Sequence, residues 1–226
     1  MNFLKEKSPN SKVHVCSSSE VFGRVPKKYV PINEDVPFHP ASPYAISKVG
    51  TDLIGKYFYD AFGLKTFCTR MFTHTGPRRG DVFHESSFAK QVALIENGLI
   101  HENTLKVGNL DSLRTYADVR DAVNAYYLLM DSNKTGKGES YNIGGEFSCT
   151  VGDTLNFFIN NSTKKNAIKI VVDKNRLRPI DADLQIPDIS KFKQVIKWDK
   201  QYSYEETMLD LLNYWRKKIN QNKSQY

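Results

Sequence analysis

The sequence predicts an α/β fold, a parallel sheet with helices on both faces, and three observations carry that prediction. Residues 12–16 are short, apolar and β-branched and end in the serine cluster Ser17, Ser18, Ser19, the composition of a strand buried on both faces. Within residues 43–62, Ile46, Leu53, Ile54, Tyr57 and Phe58 recur at helical spacing, and Gly63 stops the run. Residues 64–72 then read as the next strand, so strand, crossover helix and strand form one right-handed βαβ unit.

Further along, residues 86–97 and 118–130 read as helices, the second capped by Asp118 ahead of Val119, Ala122, Ala125 and Leu128. Residues 139–143 read as a strand, 150–159 as a short helix, 168–172 as a strand and 204–219 as a terminal helix. No internal repeat or low-complexity block interrupts them. The second half alternates helix and strand without a clean boundary. One domain over residues 1–226 is expected, with a small lobe woven into it mainly from residues 75–115 and 145–226. The first seven residues are amphipathic but lack the apolar core of a signal peptide; they read as the tail of a helix that begins upstream.

At 226 residues with 40% hydrophobic and 12% aromatic content, the chain has the material for a substantial core. Its net charge is +7, but the lysines are scattered, which describes a solvated basic surface first and an attraction for a phosphorylated small molecule second. No nucleic-acid motif accompanies the charge, so no nucleic-acid partner is expected. Cys16, Cys68 and Cys149 are far apart in or beside apolar runs, and are expected to be reduced and buried, in keeping with a cytoplasmic protein. No apolar run approaches the roughly 20 residues that cross a membrane, so no membrane partner is expected. No residue pattern suggests a metal site.

The chemistry centres on Tyr44 and Lys48. Four residues apart on a helix, they share one face at about 5–6 Å between Cβ atoms. A phenol titrates near 10 and is a poor base at neutral pH; a neighbouring ammonium favours its phenolate. The same lysine can bond a ribose hydroxyl, and Ser18 or Ser19 at the preceding strand end can orient a substrate hydroxyl. Such a pair usually works on a dinucleotide gripped by a G-x-G-x-x-G turn after the first strand. No such turn occurs in the 226 residues. The expectation is a catalytic and substrate-binding part whose cofactor-binding start, roughly 90 residues of strand–helix–strand units, is missing.

The motifs Ser18-Ser19-Glu20-Val21-Phe22-Gly23, Pro43-Tyr44-Ala45-Ile46-Ser47-Lys48 and His74-Thr75-Gly76-Pro77-Arg78-Arg79-Gly80 follow one another in this order. They continue in Val107-Gly108-Asn109-Leu110-Asp111, Arg114, Tyr141-Asn142-Ile143-Gly144-Gly145 and Arg178-Pro179. Through them the chain resembles the extended short-chain dehydrogenase/reductase family, also called NAD-dependent epimerase/dehydratases, and within it the GDP-mannose 4,6-dehydratases. The resemblance runs through nearly the whole chain. It implies a truncated Rossmann-type parallel sheet with helices on both faces plus a small α/β substrate-binding lobe.

The implied activity is dehydration of a nucleotide sugar, GDP-mannose to GDP-4-keto-6-deoxymannose, by internal hydride transfer through NADP, with NAD as the alternative cofactor. By resemblance, Tyr44 deprotonates the sugar C4 hydroxyl beside Lys48, Ser18 is the catalytic hydroxyl and Glu20 removes the C5 proton. Ser17, Tyr44, Lys48 and His74 would contact the cofactor; Thr73, Asn109, Arg114, Arg178 and Asp181 would contact the GDP-sugar. Guanidinium forks suit a diphosphate. Three points stay open: Glu20 as base or as partner of a basic group, Asp181 as ribose ligand or helix cap, and Arg78 with Arg79 as a functional pair or a solvated turn.

Two residues depart from the family pattern. Thr73 stands where asparagine usually precedes the histidine, and a hydroxyl has a shorter reach than an amide. Ser87 falls near a position that often carries a basic residue. The nearest rival activity is GDP-4-keto-6-deoxymannose reductase, which shares Arg176-Leu177-Arg178-Pro179 and Leu211-Leu212-Asn213-Tyr214-Trp215; a nucleotide-sugar epimerase or decarboxylase would use the same tyrosine and lysine. Glu20 favours the dehydratase, because reduction of a ketone needs no C5 base. From another class, a noncatalytic sugar-nucleotide-binding subunit would retain the lobe alone. The resemblance also implies a homo-oligomer, dimer or tetramer, paired through the helix that carries Tyr44, with Tyr57, Phe58 and Phe62 serving that interface or the core. A separate chain supplying the N-terminal part would complete the enzyme.

Overall fold

Helix α2 (Pro43–Phe62) starts where Ser42 accepts a hydrogen bond from Ala45 N, has proline in its first turn, and ends at Gly63 in the left-handed conformation that a helix terminus favours. Only Ala45, Asp52 and Gly55 on it are buried. That small inner face lets the helix lie close to the sheet: a Cβ on Gly55 would stand 3.0 Å from a Val15 methyl. The computed structural model describes residues 1–177 and 184–225. Arg178, Pro179 and Asp181, named above as ligand contacts or motif residues, lie outside the described residues.

In chain order the elements are α1 (Asn2–Lys7), β1 (Val13–Cys16), α2, β2 (Thr66–Met71), β3 (His74–Thr75), α3 (His84–Glu96), β4 (Thr104–Val107), β5 (Leu113–Asp118) and α4 (Val119–Asp131). They continue as β6 (Glu139–Ile143), β7 (Phe147–Thr150), α5 (Val151–Asn160), β8 (Lys169–Val172), β9 (Leu184–Gln185), α6 (Ser190–Val195) and α7 (Tyr204–Gln221). A 3-10 turn over Ser19–Phe22 follows β1 directly.

Strands β1, β2 and β6 form a parallel sheet in the order β1-β2-β6, with Val13 opposite Thr66 and Phe67 opposite Glu139. The predicted strand, crossover helix and parallel strand are therefore present as β1, α2 and β2. A second set of short strands pairs β5 with β3 and β9 in parallel and with β7 antiparallel, while β4 and β8 form a separate parallel pair. Sequence patterning missed β3, β4, β5, β7, β9 and α6. The strands among these are two to six residues long and interrupted by polar residues, as in Leu113–Asp118 and Thr104–Val107, so no continuous apolar, β-branched run marks them.

Three apolar clusters hold the elements together. Phe67, Met71, Ala122, Ala125, Leu129, Tyr141, Ile143, Phe192 and Trp198 join α4 and α6 to the parallel sheet. Phe88, Val92, Leu105, Val107, Leu155, Phe158, Leu211, Leu212 and Trp215 join α3, α5 and α7 around β4. Each such side chain contributes about 1.5–3 kcal/mol on burial. Trp215 also donates its Nε1–H to the buried Ser86 hydroxyl at 2.9 Å. Val21, Phe22, Val25, Ile32, Val36 and Phe72 pack the segment after the serine cluster. Among the described residues no helix is long and apolar enough to cross a membrane.

One expectation about the cysteines is corrected. All three are free, and Cys68 and Cys149 are buried, but Cys16 is exposed. It alternates with Val15 and Ser17, which are buried on either side of it, so its side chain points to the opposite, uncovered face of β1.

Candidate active site

The serine cluster sits at the carboxyl end of β1, the side of a parallel sheet where ligands collect. Ser17 N bonds the Thr69 carbonyl and extends the ladder by one residue. Ser18 caps the following 3-10 turn by accepting a hydrogen bond from Glu20 N at 3.2 Å, which leaves its own proton free to donate. The turn closes at Gly23, whose φ is +56° and whose missing Cβ would stand 1.8 Å from the His39 carbonyl oxygen. That crossing carries the chain into α2.

Tyr44 lies in the first turn of α2 with 54% of its surface exposed. Lys48, one turn on, donates from Nζ to the Cys16 carbonyl oxygen at 2.8 Å, with the ammonium 5.7 Å from the centre of the Tyr44 ring. The lysine thus bridges strand end and phenol. Three donors on an ammonium leave two for a ligand once Cys16 is satisfied. Among the described residues the Glu20 carboxylate has no hydrogen bond or ion pair, so no basic partner holds it back.

Thr73 and His74 follow the end of β2. The Thr73 carbonyl accepts Ala117 N, and His74 pairs with Ala117. His74 Nδ1 lies 3.2 Å from the Phe72 carbonyl, and burial, with the Arg79 charge nearby, lowers its pKa. Arg79 is not a solvated turn residue: Nε donates to Glu85 at 3.2 Å and the guanidinium lies 3.4 Å from the Phe83 ring centre. Burial disfavours the charged Glu85 carboxylate, but His84 and Arg79 outweigh it and hold its pKa below the ordinary value.

Asn109, in the connection between β4 and β5, and Arg114, on β5, lie in the second set of strands and their loops rather than at the end of β1. Asn109 donates to the Ser112 hydroxyl at 3.0 Å and accepts Asp111 N. Arg114 lies on β5 opposite Cys149 and Gln185 and bonds the Leu113 carbonyl. Ser87, noted for lacking a positive charge, receives one from another element: Arg176 Nη1 donates to its hydroxyl at 3.1 Å.

Sequence reasoning passed over Asp52, Arg70 and His14. Asp52 follows Lys48 by one helical turn, a spacing that could have drawn it in. His14 stacks on Phe67 at 4.8 Å and bonds Thr69 Oγ1 at 2.7 Å, and burial lowers its pKa to about 4. It is neutral at physiological pH.

The family model described as GDP-mannose 4,6 dehydratase matches residues 1–211. GDP-mannose 4,6 dehydratase 1 of Arabidopsis thaliana is 30% identical over 195 residues, 86% of this chain and 52% of that protein. GDP-6-deoxy-D-mannose reductase of Pseudomonas aeruginosa is 25% identical over 205 residues, 91% of this chain and 66% of that protein. The chain spans about half the length of the plant relatives it matches. Among solved structures, RMD from Pseudomonas aeruginosa in complex with NADPH superposes with a TM-score of 0.86 at 24% identity, over 96% of this chain and 71% of that one. A dTDP-glucose 4,6-dehydratase from Bacillus anthracis in complex with NAD gives 0.80 at 23% identity, over 99% and 67%. These likenesses agree with the α/β architecture built from β1, α2 and β2. With Tyr44, Lys48 and the serine turn gathered at one strand end and residues 1–211 of the chain matched by the family model, the chain belongs to the GDP-mannose 4,6 dehydratase family.

Proposed function

We propose that this chain carries the acid/base and sugar-nucleotide-binding machinery of a nucleotide-sugar 4,6-dehydratase acting on GDP-mannose. The observation that carries the reading is the Lys48 ammonium, tied to the end of β1 and set beside the exposed Tyr44 phenol. Tyr44 takes the proton of the sugar C4 hydroxyl, Lys48 stabilises the phenolate charge, and Ser18 donates to the same sugar oxygen. Glu20, without a competing partner among the described residues, takes the C5 proton before water leaves C6. His74 and Thr73 border the same strand ends; Asn109, Arg114, Arg178 and Asp181 hold the GDP portion.

NADP, with NAD as the alternative, supplies a reversible hydride acceptor when bound. The donor set at the end of β1 suits its nicotinamide ribose: Lys48 has N–H groups beyond the one spent on the Cys16 carbonyl, Ser17 and Tyr44 belong to the same strand end and helix turn, and His74 is the further residue proposed to meet the cofactor. The pyrophosphate needs a glycine-rich turn that these 226 residues do not contain, so that part of the site would have to come from outside them, from further residues or from a separate chain. These 226 residues by themselves are expected to hold NADP weakly, because they lack that turn.

The reductase is the second reading, supported by the match to the Pseudomonas reductase; Glu20 favours dehydration. A homo-oligomer and a cytoplasmic location belong to the same proposal. The former draws on the exposed Ile46, Leu53, Ile54, Tyr57 and Phe62 of α2, a stripe suited to a second copy.

Calorimetric titration with GDP-mannose, with and without NADP, tests the reading, followed by product analysis. Binding of the sugar nucleotide with weak NADP binding is expected. Absence of GDP-mannose binding, or a product other than the 4-keto-6-deoxy sugar, overturns it.

A further inference from the structure

Gln185, the last residue of β9, is 2% exposed, and neither its side-chain nitrogen nor its side-chain oxygen has a hydrogen-bond partner among the described residues. Such an amide is destabilising, because folding strips it of water and returns no bond. Buried polar groups are nearly always satisfied, so this exception calls for a reason.

Its place in the sheet supplies one. Arg114 of β5 pairs with Cys149 of β7 on one edge and with Gln185 of β9 on the other. Paired residues send their side chains to the same face, so Gln185 shares a face with Arg114, while Leu184 and Leu113 take the opposite one. Arg114 is only partly buried. The row that ends in the sealed amide therefore opens at the arginine. Strand β3 lies on the same edge of β5 as β9, away from β7, and just before it the Thr73 carbonyl accepts Ala117 N at 3.0 Å. Three residues of β5, roughly 10 Å at the rise of a strand, separate the levels of Gln185 and Thr73. Beyond Gln185, the Ile186 carbonyl accepts Ile32 N at 2.8 Å and Pro187 pairs with Ile32, which ties β9 to the segment that follows the serine turn. Gln185 thus stands beside Arg114, proposed above to hold the GDP portion, on the edge that leads to Thr73.

The chemistry of the group narrows its ligand. A primary amide presents N–H donors and a carbonyl acceptor side by side. A phosphate only accepts and would leave the carbonyl unpaired, whereas a hydroxyl donates and accepts and satisfies both halves. Charge for a phosphate comes from Arg114 instead.

We propose that Gln185 is a specificity-determining residue of the sugar-nucleotide site, its amide taking a ring hydroxyl of the GDP-sugar, on the hexose or on the ribose. The proposal rests on the reading of this site as one for a sugar nucleotide. In the unliganded chain the amide is sealed and unpaired; its staggered torsions let it turn toward a ligand seated on Arg114, and the bond then formed restores what burial removed. Stability and affinity are set against each other at one residue.

Gln185→Met tests this, since methionine keeps an unbranched side chain of similar length and lacks both polar groups. Urea denaturation of the unliganded 226-residue chain is paired with calorimetric titration by GDP-mannose and by GDP. The variant is expected to unfold at a higher urea midpoint than the wild type and to bind GDP-mannose with a Kd about 2–10-fold higher, the equivalent of one hydrogen bond. A loss confined to GDP-mannose assigns the hexose; a loss that extends to GDP and vanishes with 2′,3′-dideoxy-GDP assigns the ribose. A midpoint that does not rise means the amide already has a partner, such as an internal water, and overturns the proposal. Equal affinity of variant and wild type overturns it too, as does a loss that persists with the dideoxy nucleotide, which puts the amide on the base. A wild-type chain that binds no GDP-mannose overturns the sugar-nucleotide reading itself and this assignment with it; intact wild-type binding with an unaffected variant removes Gln185 alone.

Discussion

Replacing Asp52 by asparagine keeps the shape of the side chain and removes its charge, which leaves the Arg70 guanidinium buried with no counter-charge. The pair is bidentate, at 2.8 Å and 3.0 Å, and hydrogen bonds to charged groups contribute about 1.5–3 kcal/mol each. Two such bonds give about 3–6 kcal/mol, in line with the 3–5 kcal/mol typical when one partner of a buried pair is removed. A domain stable by about 5–15 kcal/mol loses a large fraction of that.

The effect has a pH signature. Burial raises the Asp52 pKa, but the Arg70 hydrogen bonds and charge outweigh it and leave the folded value below 3.8. The contribution is therefore complete above pH 3.8 and is lost as pH falls through the lower folded value. Urea denaturation followed by circular dichroism at pH 7 and at pH 3 measures both quantities. The wild type should exceed Asp52→Asn by about 3–5 kcal/mol at pH 7, and the gap should narrow toward pH 3. The double replacement Asp52→Leu with Arg70→Met should recover much of the loss. A gap under about 1 kcal/mol at pH 7, or one that stays constant with pH, would refute the reasoning.

Gly23→Ala forces a side chain into a backbone at φ +56° and sets its Cβ 1.8 Å from the His39 carbonyl; the melting temperature should fall by the equivalent of more than about 1–3 kcal/mol, with an unchanged value counting against the described crossing. Trp215→Ala empties a site that is 3% exposed and strips the Ser86 hydroxyl of its donor, so denaturant titration should show a loss of about 3–5 kcal/mol. Glu20→Gln should slow C5 proton removal by about 10²–10⁴-fold while GDP-mannose binding by calorimetry stays at the wild-type value; an unaltered dehydration rate would remove Glu20 from the mechanism.

Long elements with strong punctuation were legible before the structure. Helix α2 announced itself through its apolar spacing and Gly63, and β6 through its composition, because each combines a local preference with a boundary residue. Asp118 reads as a cap and is one, accepting Arg120 N at 2.8 Å. The short strands around β5 were invisible, since their pairing is decided by partners far along the chain, such as Gly145, whose close approach to the Tyr116 carbonyl only the fold reveals.

The same division runs through the site. Tyr44 and Lys48 are recognisable because one helix places both. The Cys16 carbonyl as the lysine's acceptor, the Arg176 guanidinium on Ser87 and the Arg70 fork on Asp52 each join residues from 18 to 89 positions apart, and no local pattern encodes such a meeting. Cys16 illustrates the converse error. Its apolar neighbours suggest burial, but it alternates with the buried Val15 and Ser17 and faces the uncovered side of β1.

The lean inner face of α2 has a consequence for how much of this helix is free to vary. Of its twenty residues only Ala45, Gly55 and the carboxylate-bearing Asp52 are buried, so close approach and directional bonds rather than apolar bulk set the depth at which Tyr44 sits. The outer face carries none of that specification. Sequence drift at Ile46, Leu53, Ile54 or Tyr57 can rewrite what the helix associates with while the phenol and its lysine keep their places. Within a single helix, the buried face that seats Tyr44 and Lys48 and the exposed apolar face are specified by different residues.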